Sequence, residues 1–224
     1  MKRILTIMVA LMMCFVMSVP ESAFAVSNSK VLHSYADFLA KHKAKNYDQF
    51  FDAAFEPKDK SYVNYFTTID IDKDGKEELL THTIVNNYWA IVKIYKYKNG
   101  KVRPYKFASG KNAVFSQRAT ADGRNGLDVC ASGHIHNTWV GSYENSSQRI
   151  YKVSKGKIKL YLSKDVDSLR DDGIPVIKKY GKKISEAEFE GIIAECNYQE
   201  PTMKYDIPCV DWTKNNKANR NKLR

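Results

Sequence analysis

Acidic side chains recur on alternate residues within one short segment of the chain. Asp70, Asp72 and Asp74 stand at positions 1, 3 and 5 of this segment, Gly75 follows at position 6, and Glu78 stands at position 9. Calcium is a hard cation that takes six to eight oxygen ligands, so several carboxylates reach one ion when the chain curls around it. Glycine tolerates the positive φ that such a turn requires. The spacing therefore predicts a calcium loop.

The remaining ligands of this loop are expected from positions 7 and 9. Lys76 would lend its backbone carbonyl, and Glu78 would bind directly or through water. An EF-hand carries a glutamate at position 12, where this chain has Thr81, and strands rather than helices are predicted on both sides. The alternative interpretation is a solvated acidic turn without an ion, in which Lys73 and Lys76 offset part of the negative charge.

A second group of polar residues alternates further along the chain. Cys130, Ser132, His134 and His136, together with Asp128, would share one face of a strand. Cysteine and histidine bind zinc, and a cysteine beside a histidine can act as a nucleophile. The residues of one strand alone seldom supply all the ligands of a tetrahedral zinc site. Cys130, His134 and His136 therefore define an alternative function, a small secreted enzyme, beside the favoured interpretation of a polar strand face.

The sequence contains no other motif of catalysis or cofactor binding. It has no G-x-S-x-G, H-E-x-x-H, P-loop or dinucleotide fingerprint. We therefore name no catalytic and no organic cofactor-binding residue, and we favour a protein that is not an enzyme.

The elements that must position these residues are mostly short strands. A helix is predicted at 34–43 with Ser34 as its N-cap, and a helical piece at 47–55. Strands are predicted at 62–71, 79–85, 88–97, 102–107, 112–117, 126–131, 135–143, 148–153 and 157–162. The dipeptides Asn99-Gly100 and Lys155-Gly156 indicate tight turns between strands.

The end of this region is predicted to be helical again. Ser185 and Glu188 form a capping box before an apolar stripe. We therefore expect an α+β fold, an antiparallel β meander with helices near the N- and C-terminal ends.

The first residues are typical of a cleavable secretory signal. Lys2 and Arg3 are followed by an apolar run from Ile4 to Val19, and a small-residue cleavage site ends at Ala25. The run is shorter than the ~20 apolar residues of a membrane anchor, which is the alternative. We expect a secreted, extracellular protein that begins near Val26 and has no transmembrane segment after cleavage.

The chain is basic, and its charge is concentrated at the end. The formal net charge is +11, and the last residues contain no acid and no apolar period, which predicts disorder. The expected organisation is a signal peptide (1–25), an N-terminal helical segment (26–60), a β-meander domain with a C-terminal helix (61–211) and a disordered basic tail (212–224). The expected partners are anionic cell-wall polymers or another surface protein, and not nucleic acid.

Three cysteines follow the predicted cleavage site. Cys196 ends the predicted helix and Cys209 stands in the loop after it, so we favour a disulfide between them. Pairing of Cys130 with either of the other two is the alternative, and one thiol is left over in each case.

Four segments carry a resemblance to a known group of proteins. YFTTIDIDKDGKEELL, IVKIYKYKNGKV, RIYKVSKGKIKLY and GKKISEAEFEGII resemble successive parts of secreted proteins from Gram-positive bacteria. Their loop resembles the D-x-D-x-D-G-x-x-[DE]-L loop between two strands in integrin-type secreted β proteins. The resemblance spans about residues 61–196. Lys73 replaces a common glycine, and Tyr180 replaces an asparagine. The resemblance implies an extracellular α+β domain and implies no activity. The predicted calcium ion would be structural, because the loop that holds it joins two strands.

Overall fold

The computed structural model describes residues 26–44, 62–85, 89–118, 125–129, 133–142, 145–167, 174–195 and 211–224. The predicted signal peptide, the predicted helix at 47–55 and the cysteines Cys130, Cys196 and Cys209 lie outside these residues. The disulfide therefore stays a prediction.

Helix α1 (Asn28–Lys41) begins earlier than the apolar pattern predicted. Its N-cap is Ser27, whose hydroxyl accepts a hydrogen bond from the amide of Lys30 at 3.3 Å. Ser34, the predicted N-cap, lies inside the helix and donates to the carbonyl of Lys30 at 2.9 Å. The prediction was wrong because the buried stripe already starts at Val31, one turn before the residues that suggested it.

The first sheet, sheet 1, is an antiparallel meander with a divided edge. Its strands are β1 (Tyr65–Ile69), β2 (Glu78–Ile84), β3 (Trp89–Lys98), β4 (Lys101–Pro104) and β5 (Val114–Arg118). β2 pairs with β1 on one side and with β3 on the other. β4 and β5 both pair with the far edge of β3, each along one half of that long strand.

The second sheet, sheet 2, follows chain order throughout. Its strands are β6 (Asn125–Val129), β7 (His134–Ser142), β8 (Asn145–Ser154), β9 (Lys157–Asp167), β10 (Val176–Lys179) and β11 (Lys182–Lys183). All neighbouring strands are antiparallel. The α+β fold with an antiparallel meander and helices toward both ends is confirmed.

Both predicted two-residue turns are present. Asn99 and Gly100 have φ values of +53° and +76°, and Lys155 and Gly156 have φ values of +51° and +67°. Two successive positive φ values are typical of the type I′ turn, whose twist matches the strands that it joins.

The two sheets share one apolar core. Sheet 1 contributes Leu80, Val92 and Ile94, while Ile135 and Ile158 come from sheet 2. Along each strand of sheet 1, the residues on either side of these core residues point to the opposite face of the sheet, because side chains alternate along a strand.

Each sheet also has a helix against it. Leu79 and Phe66 of sheet 1 pack against Tyr35 and Leu39 of α1. Helix α2 (Glu186–Glu195) packs through Phe189, Ile192 and Ile193 against Ile150 and Leu162 of sheet 2. The amide of Glu188 donates to the Ser185 hydroxyl at 3.1 Å, as the capping box predicts.

The C-terminal residues belong to the sheet 1 layer. Strand β12 (Thr213–Lys214) pairs with β1, and helix α3 (Lys217–Asn221) follows it. Asn215 is 4% exposed, and Leu223 packs in the cluster beneath α1. The prediction of a disordered tail at 212–224 is therefore wrong. The prediction followed the high charge of the whole segment and did not detect the few buried residues that hold it in place.

Among the residues that the structure describes, no helix combines the length and the apolar character that a bilayer crossing requires.

Candidate metal centre

The acidic loop joins β1 to β2 and is shaped by its own carboxylates. Asp70 accepts hydrogen bonds from the amides of Asp74 at 3.2 Å and Gly75 at 3.0 Å. Asp74 accepts one from the amide of Lys76 at 2.9 Å. Lys73 and Gly75 have φ values of +60° and +84°. These two left-handed residues curl the loop, as the glycine at position 6 predicted.

Three carboxylates converge inside this curl. Asp70, Asp72 and Glu78 each place an oxygen within 4.8 Å of the others. Glu78 opens β2 and is 3% exposed, and its Oε2 accepts a hydrogen bond from the amide of Ile71 at 2.9 Å. A group of oxygen donors this close is suited to a metal ion. The structure therefore brings together three of the five predicted ligands.

The other two predicted ligands stand apart from this group. Asp74 is exposed and lies outside the converging set. Lys76 donates its amide to Asp74, and its predicted carbonyl contact with an ion stays a prediction.

A tyrosine closes the inner side of the carboxylate group. The Tyr105 hydroxyl donates to Asp72 Oδ2 at 2.9 Å, and Glu78 Oε1 lies 3.4 Å from it. Tyr105 is fully buried. The second oxygen of Asp72, Oδ1, is buried and has no hydrogen-bond partner among the described residues. A buried acceptor without a donor is costly, and a bound cation would satisfy it.

The electrostatics of the group also favour a positive charge. Burial, followed by the charges of Asp72, Asp74 and Asp70, raises the pKa of Glu78 to about 8, against the opposing effect of the Ile71 amide. Burial and the Glu78 charge raise the pKa of Tyr105 as well. Carboxylates held this close repel one another, and a divalent ion can replace the proton that would otherwise relieve the repulsion.

Helix α1 holds the outer side of the loop. The Glu77 amide donates to Asn28 Oδ1 at 3.1 Å, and the Tyr35 hydroxyl donates to the Glu77 carbonyl at 2.9 Å. The same hydroxyl accepts from the amide of Tyr97 in β3 at 3.1 Å. The loop is thus fixed to both the helix and the sheet.

A cavity of about 260 Å³ opens beside the carboxylates. Asp72, Glu78 and Tyr105 line one side, and Lys96 and Lys98 of β3 line another. The Lys96 ammonium lies 4.2 Å from the centre of the Tyr105 ring and donates to the carbonyl of Gly156 at 2.7 Å. The cavity therefore joins the acidic group to a basic strand.

Tyr105 and Lys96 were not predicted from the sequence as parts of the site. Tyr105 follows Pro104 at the end of β4, distant in sequence from the loop. Only the pairing of β4 with β3 places it there, and no local pattern indicates this contact.

The alternative site is described only in part. His134 and His136 lie two residues apart on β7 and share one face of the strand, as predicted. His136 is 2% exposed, and burial lowers its pKa to about 4. His134 stacks on Tyr161 with ring centres 5.7 Å apart. Cys130 and Ser132 lie outside the described residues, so a catalytic group at this face stays a prediction.

Comparisons of this chain with protein-family models, with curated proteins and with solved structures gave no significant match.

Proposed function

We propose that the chain is an exported binding module that is stabilised by one calcium ion and attaches to anionic polymers of the cell wall. The observation that carries this proposal is the convergence of Asp70, Asp72 and Glu78 around a buried, unpartnered oxygen of Asp72.

The donor chemistry favours calcium over other ions. The converging atoms are all carboxylate oxygens, whereas zinc and later transition metals prefer nitrogen and sulfur ligands. Calcium–oxygen distances of about 2.3–2.6 Å allow two ligands of one ion to stand ~5 Å apart, and calcium accepts irregular geometry. The oxygens here lie within 4.8 Å of one another. Magnesium requires a tighter octahedron and keeps more water.

The role of the ion would be structural. Asp70 follows β1 directly and Glu78 begins β2, so an ion bound to both would tie the ends of two paired strands. Because such an ion binds the folded chain and not the unfolded one, it would raise stability in proportion to the logarithm of its concentration.

Export and wall attachment are supported by the sequence. The signal-like N-terminus supports export. The net charge of +11 becomes +10 when Lys2, Arg3 and Glu21 are removed with the signal, and this positive charge supports attachment to anionic surfaces. Attachment of this kind weakens as salt screens the charges.

The metal part is tested by calorimetric titration of the purified protein with calcium, repeated in excess magnesium. We expect one ion per chain and at least tenfold weaker binding in Asp72→Asn, because the variant loses a charged ligand. Glu77→Gln is the matched control, since it removes a neighbouring charge outside the converging group, and we expect it to bind nearly as the parent does. Equal affinity of the parent and Asp72→Asn would refute the metal site.

The attachment part is tested by sedimenting the protein with cell-wall material at low and high salt. We expect retention at low salt and release at high salt. Retention that does not change with salt, or no retention at either condition, contradicts attachment through charge.

A further inference from the structure

The β3–β4 hairpin has one apolar face and one basic face. Tyr95, Tyr97 and Val102 lie on the side covered by α1 and join its apolar cluster. The residues between them lie on the opposite side, because side chains alternate along each strand. These residues are Lys96, Lys98, Lys101 and Arg103, and we call them the basic face.

The cations of the basic face stand directly opposite one another. Lys96 pairs with Arg103, and Lys98 pairs with Lys101, in the register of the two strands. Like charges placed directly opposite on an antiparallel pair destabilise it. The hairpin therefore carries two repulsive pairs on the same side, one strand step of about 7 Å apart.

The acidic loop lies across the cavity from Lys96 and Lys98, but no described carboxylate forms an ion pair with the basic face. Lys98, Lys101 and Arg103 are exposed, and none of them forms an ion pair with a described acid. Lys96 is held at the inner end of the face by its hydrogen bond to Gly156. That contact also brings the β8–β9 turn, with exposed Lys155, to the edge of the basic face.

Two partly buried cations of sheet 2 are paired with acids. Arg149 lies 2.6 Å from Asp165, and Lys164 lies 2.7 Å from Glu186. Neither of these ion pairs involves the β3–β4 hairpin, so the exposed cations of the basic face are open to an outside anion.

The β10–β11 hairpin provides a natural comparison. It places Lys178 opposite Lys183 and Lys179 opposite Lys182. Adjacent pairs lie on opposite faces of the hairpin, and Lys179 binds Glu188 at 3.1 Å. This hairpin therefore offers one repulsive pair on each side, and not the two successive pairs of the basic face.

We propose that the basic face binds a linear cell-wall polymer whose repeating units are joined by phosphodiesters, an inference that rests on the proposed wall attachment and assigns it a surface. Each phosphodiester has two charge-bearing oxygens that reach both cations of one pair. The next pair along the strand takes the next phosphodiester. Lysine and arginine side chains are the usual ligands of such groups.

The test measures binding of poly(glycerol phosphate) to the purified protein over a range of salt concentrations. We expect Lys98→Gln/Lys101→Gln to bind about tenfold more weakly at low salt, with the slope of log affinity against log salt reduced by about 0.7, since the pair binds one phosphodiester and each lost phosphate contact on a single chain contributes ~0.7. Lys178→Gln/Lys183→Gln is the matched control. It removes the same charge from an opposed pair in sheet 2 and is expected to stay within about twofold of the parent.

A stability measurement separates binding from folding. Because the Lys98/Lys101 change removes a repulsive pair, the variant is expected to unfold at the same or a higher temperature than the parent. Weaker binding by a chain of undiminished stability supports the basic face. If the parent binds the polymer and both double variants lose affinity equally, the polymer does not bind at the basic face, and the proposed wall attachment is unaffected. If the parent binds no wall material, the proposed function itself fails. Tighter binding to polygalacturonate, a polycarboxylate, than to poly(glycerol phosphate) overturns the phosphodiester assignment. Tighter binding to single-stranded DNA, itself a phosphodiester polymer, overturns the cell-wall polymer as the ligand.

Discussion

Gly133 lies against the carbonyl oxygen of Ile71, so closely that a Cβ at residue 133 would overlap that oxygen. Gly133 precedes β7 in sheet 2, and Ile71 is the second residue of the acidic loop in sheet 1. Its φ of +79° is also one that side chains rarely adopt. The two sheets thus meet directly at the candidate metal centre.

Gly133→Ala is therefore expected to damage both stability and metal binding. The added methyl group must displace the backbone of the loop, and the positive φ adds strain, which together should cost about 2–4 kcal/mol of unfolding free energy. Denaturant unfolding and calcium calorimetry measure the two effects. Gly110→Ala is the control, because Gly110 has a φ of +88° and open space around its Cα. Equal losses of unfolding free energy and calcium affinity in both variants would show that backbone strain alone, and not the contact with Ile71, causes the effect.

Two buried histidines are each expected to lower the stability of the fold in mild acid. Burial lowers the pKa of His82 to about 4 and that of His136 to about 4. At these two histidines the folded chain therefore binds fewer protons than the unfolded chain below the ordinary histidine pKa of about 6.5, whereas the raised pKa of Glu78 acts in the opposite direction. The stability that comes from keeping these histidines neutral is fully present above pH ~6.5. It is lost as the pH falls toward 4, by roughly 3 kcal/mol for each histidine.

Denaturant unfolding between neutral pH and pH ~4 measures this loss. His82 packs between the rings of Tyr65 and Trp212, so His82→Phe fits the same space without a titrating group. The variant is expected to lose less stability in acid than the parent. His33→Gln, a change at an exposed position of α1, should follow the parent curve. If the stability of His82→Phe falls with pH as that of the parent does, His82 does not contribute to the loss of stability in acid.

Asn215 is expected to be the most sensitive position of the C-terminal segment. Its amide nitrogen donates to the carbonyls of Val63 at 2.9 Å and His42 at 3.0 Å, and its oxygen accepts from Arg220 at 2.9 Å. Asn215→Ala removes the Asn215 donor from the Val63 carbonyl, whereas the His42 carbonyl keeps the Val63 amide as a donor at 3.1 Å, and the loss should cost about 1–3 kcal/mol. Thermal unfolding measures this cost.

Asn221→Ala provides the comparison for that measurement. Asn221 is exposed at the end of α3, and alanine there should change stability by less than about 0.5 kcal/mol. Similar small effects at both positions would show that the segment contributes little.

Cleavage of the predicted signal is expected to leave Val26 as the first residue. Mass spectrometry of the protein recovered from the culture medium of a secreting host identifies the N-terminus directly. A chain that keeps residues 1–25 and stays with the membrane fraction would favour the anchor interpretation instead.

Calcium is expected to strengthen binding of the phosphodiester polymer. Lys96 and Lys98 share their cavity with Asp72 and Glu78, so the carboxylates repel an anion until a cation offsets them. We expect an affinity gain of about threefold or more on adding calcium. In Asp72→Asn the gain should disappear. An unchanged affinity in the parent would show that the two sites act independently.

Much of the local structure could be predicted from residue patterns. The alternation of apolar residues located the strands, and Asn99-Gly100 and Ser185 marked a turn and a helix start that the structure confirms. The loop could be predicted because Asp70, Asp72 and Glu78 belong to one short segment. Local spacing is sufficient where the interacting residues are neighbours in the chain.

Contacts between distant segments could not be predicted in the same way. Tyr105 reaches Asp72 through strand pairing, and Asn215 reaches Val63 across most of the domain. Nothing near either residue indicates its partner. The charged surroundings of Asn215 favoured disorder, because composition averages over a segment and a single buried amide hardly changes that average.

The position of the C-terminal segment has a consequence for the order of assembly. β12 extends the edge of sheet 1, and Asn215 Nδ2 contacts the Leu39 carbonyl across 176 positions of sequence. Closing so long a loop is entropically costly, which places this contact late in folding. Because α1 is synthesised first and residues 213–223 last, the packing of the C-terminal segment against α1 and sheet 1 can form only after synthesis of residues 213–223. Under the proposed export, the chain is therefore expected to pass through the export channel before this layer is complete and to finish folding on the far side.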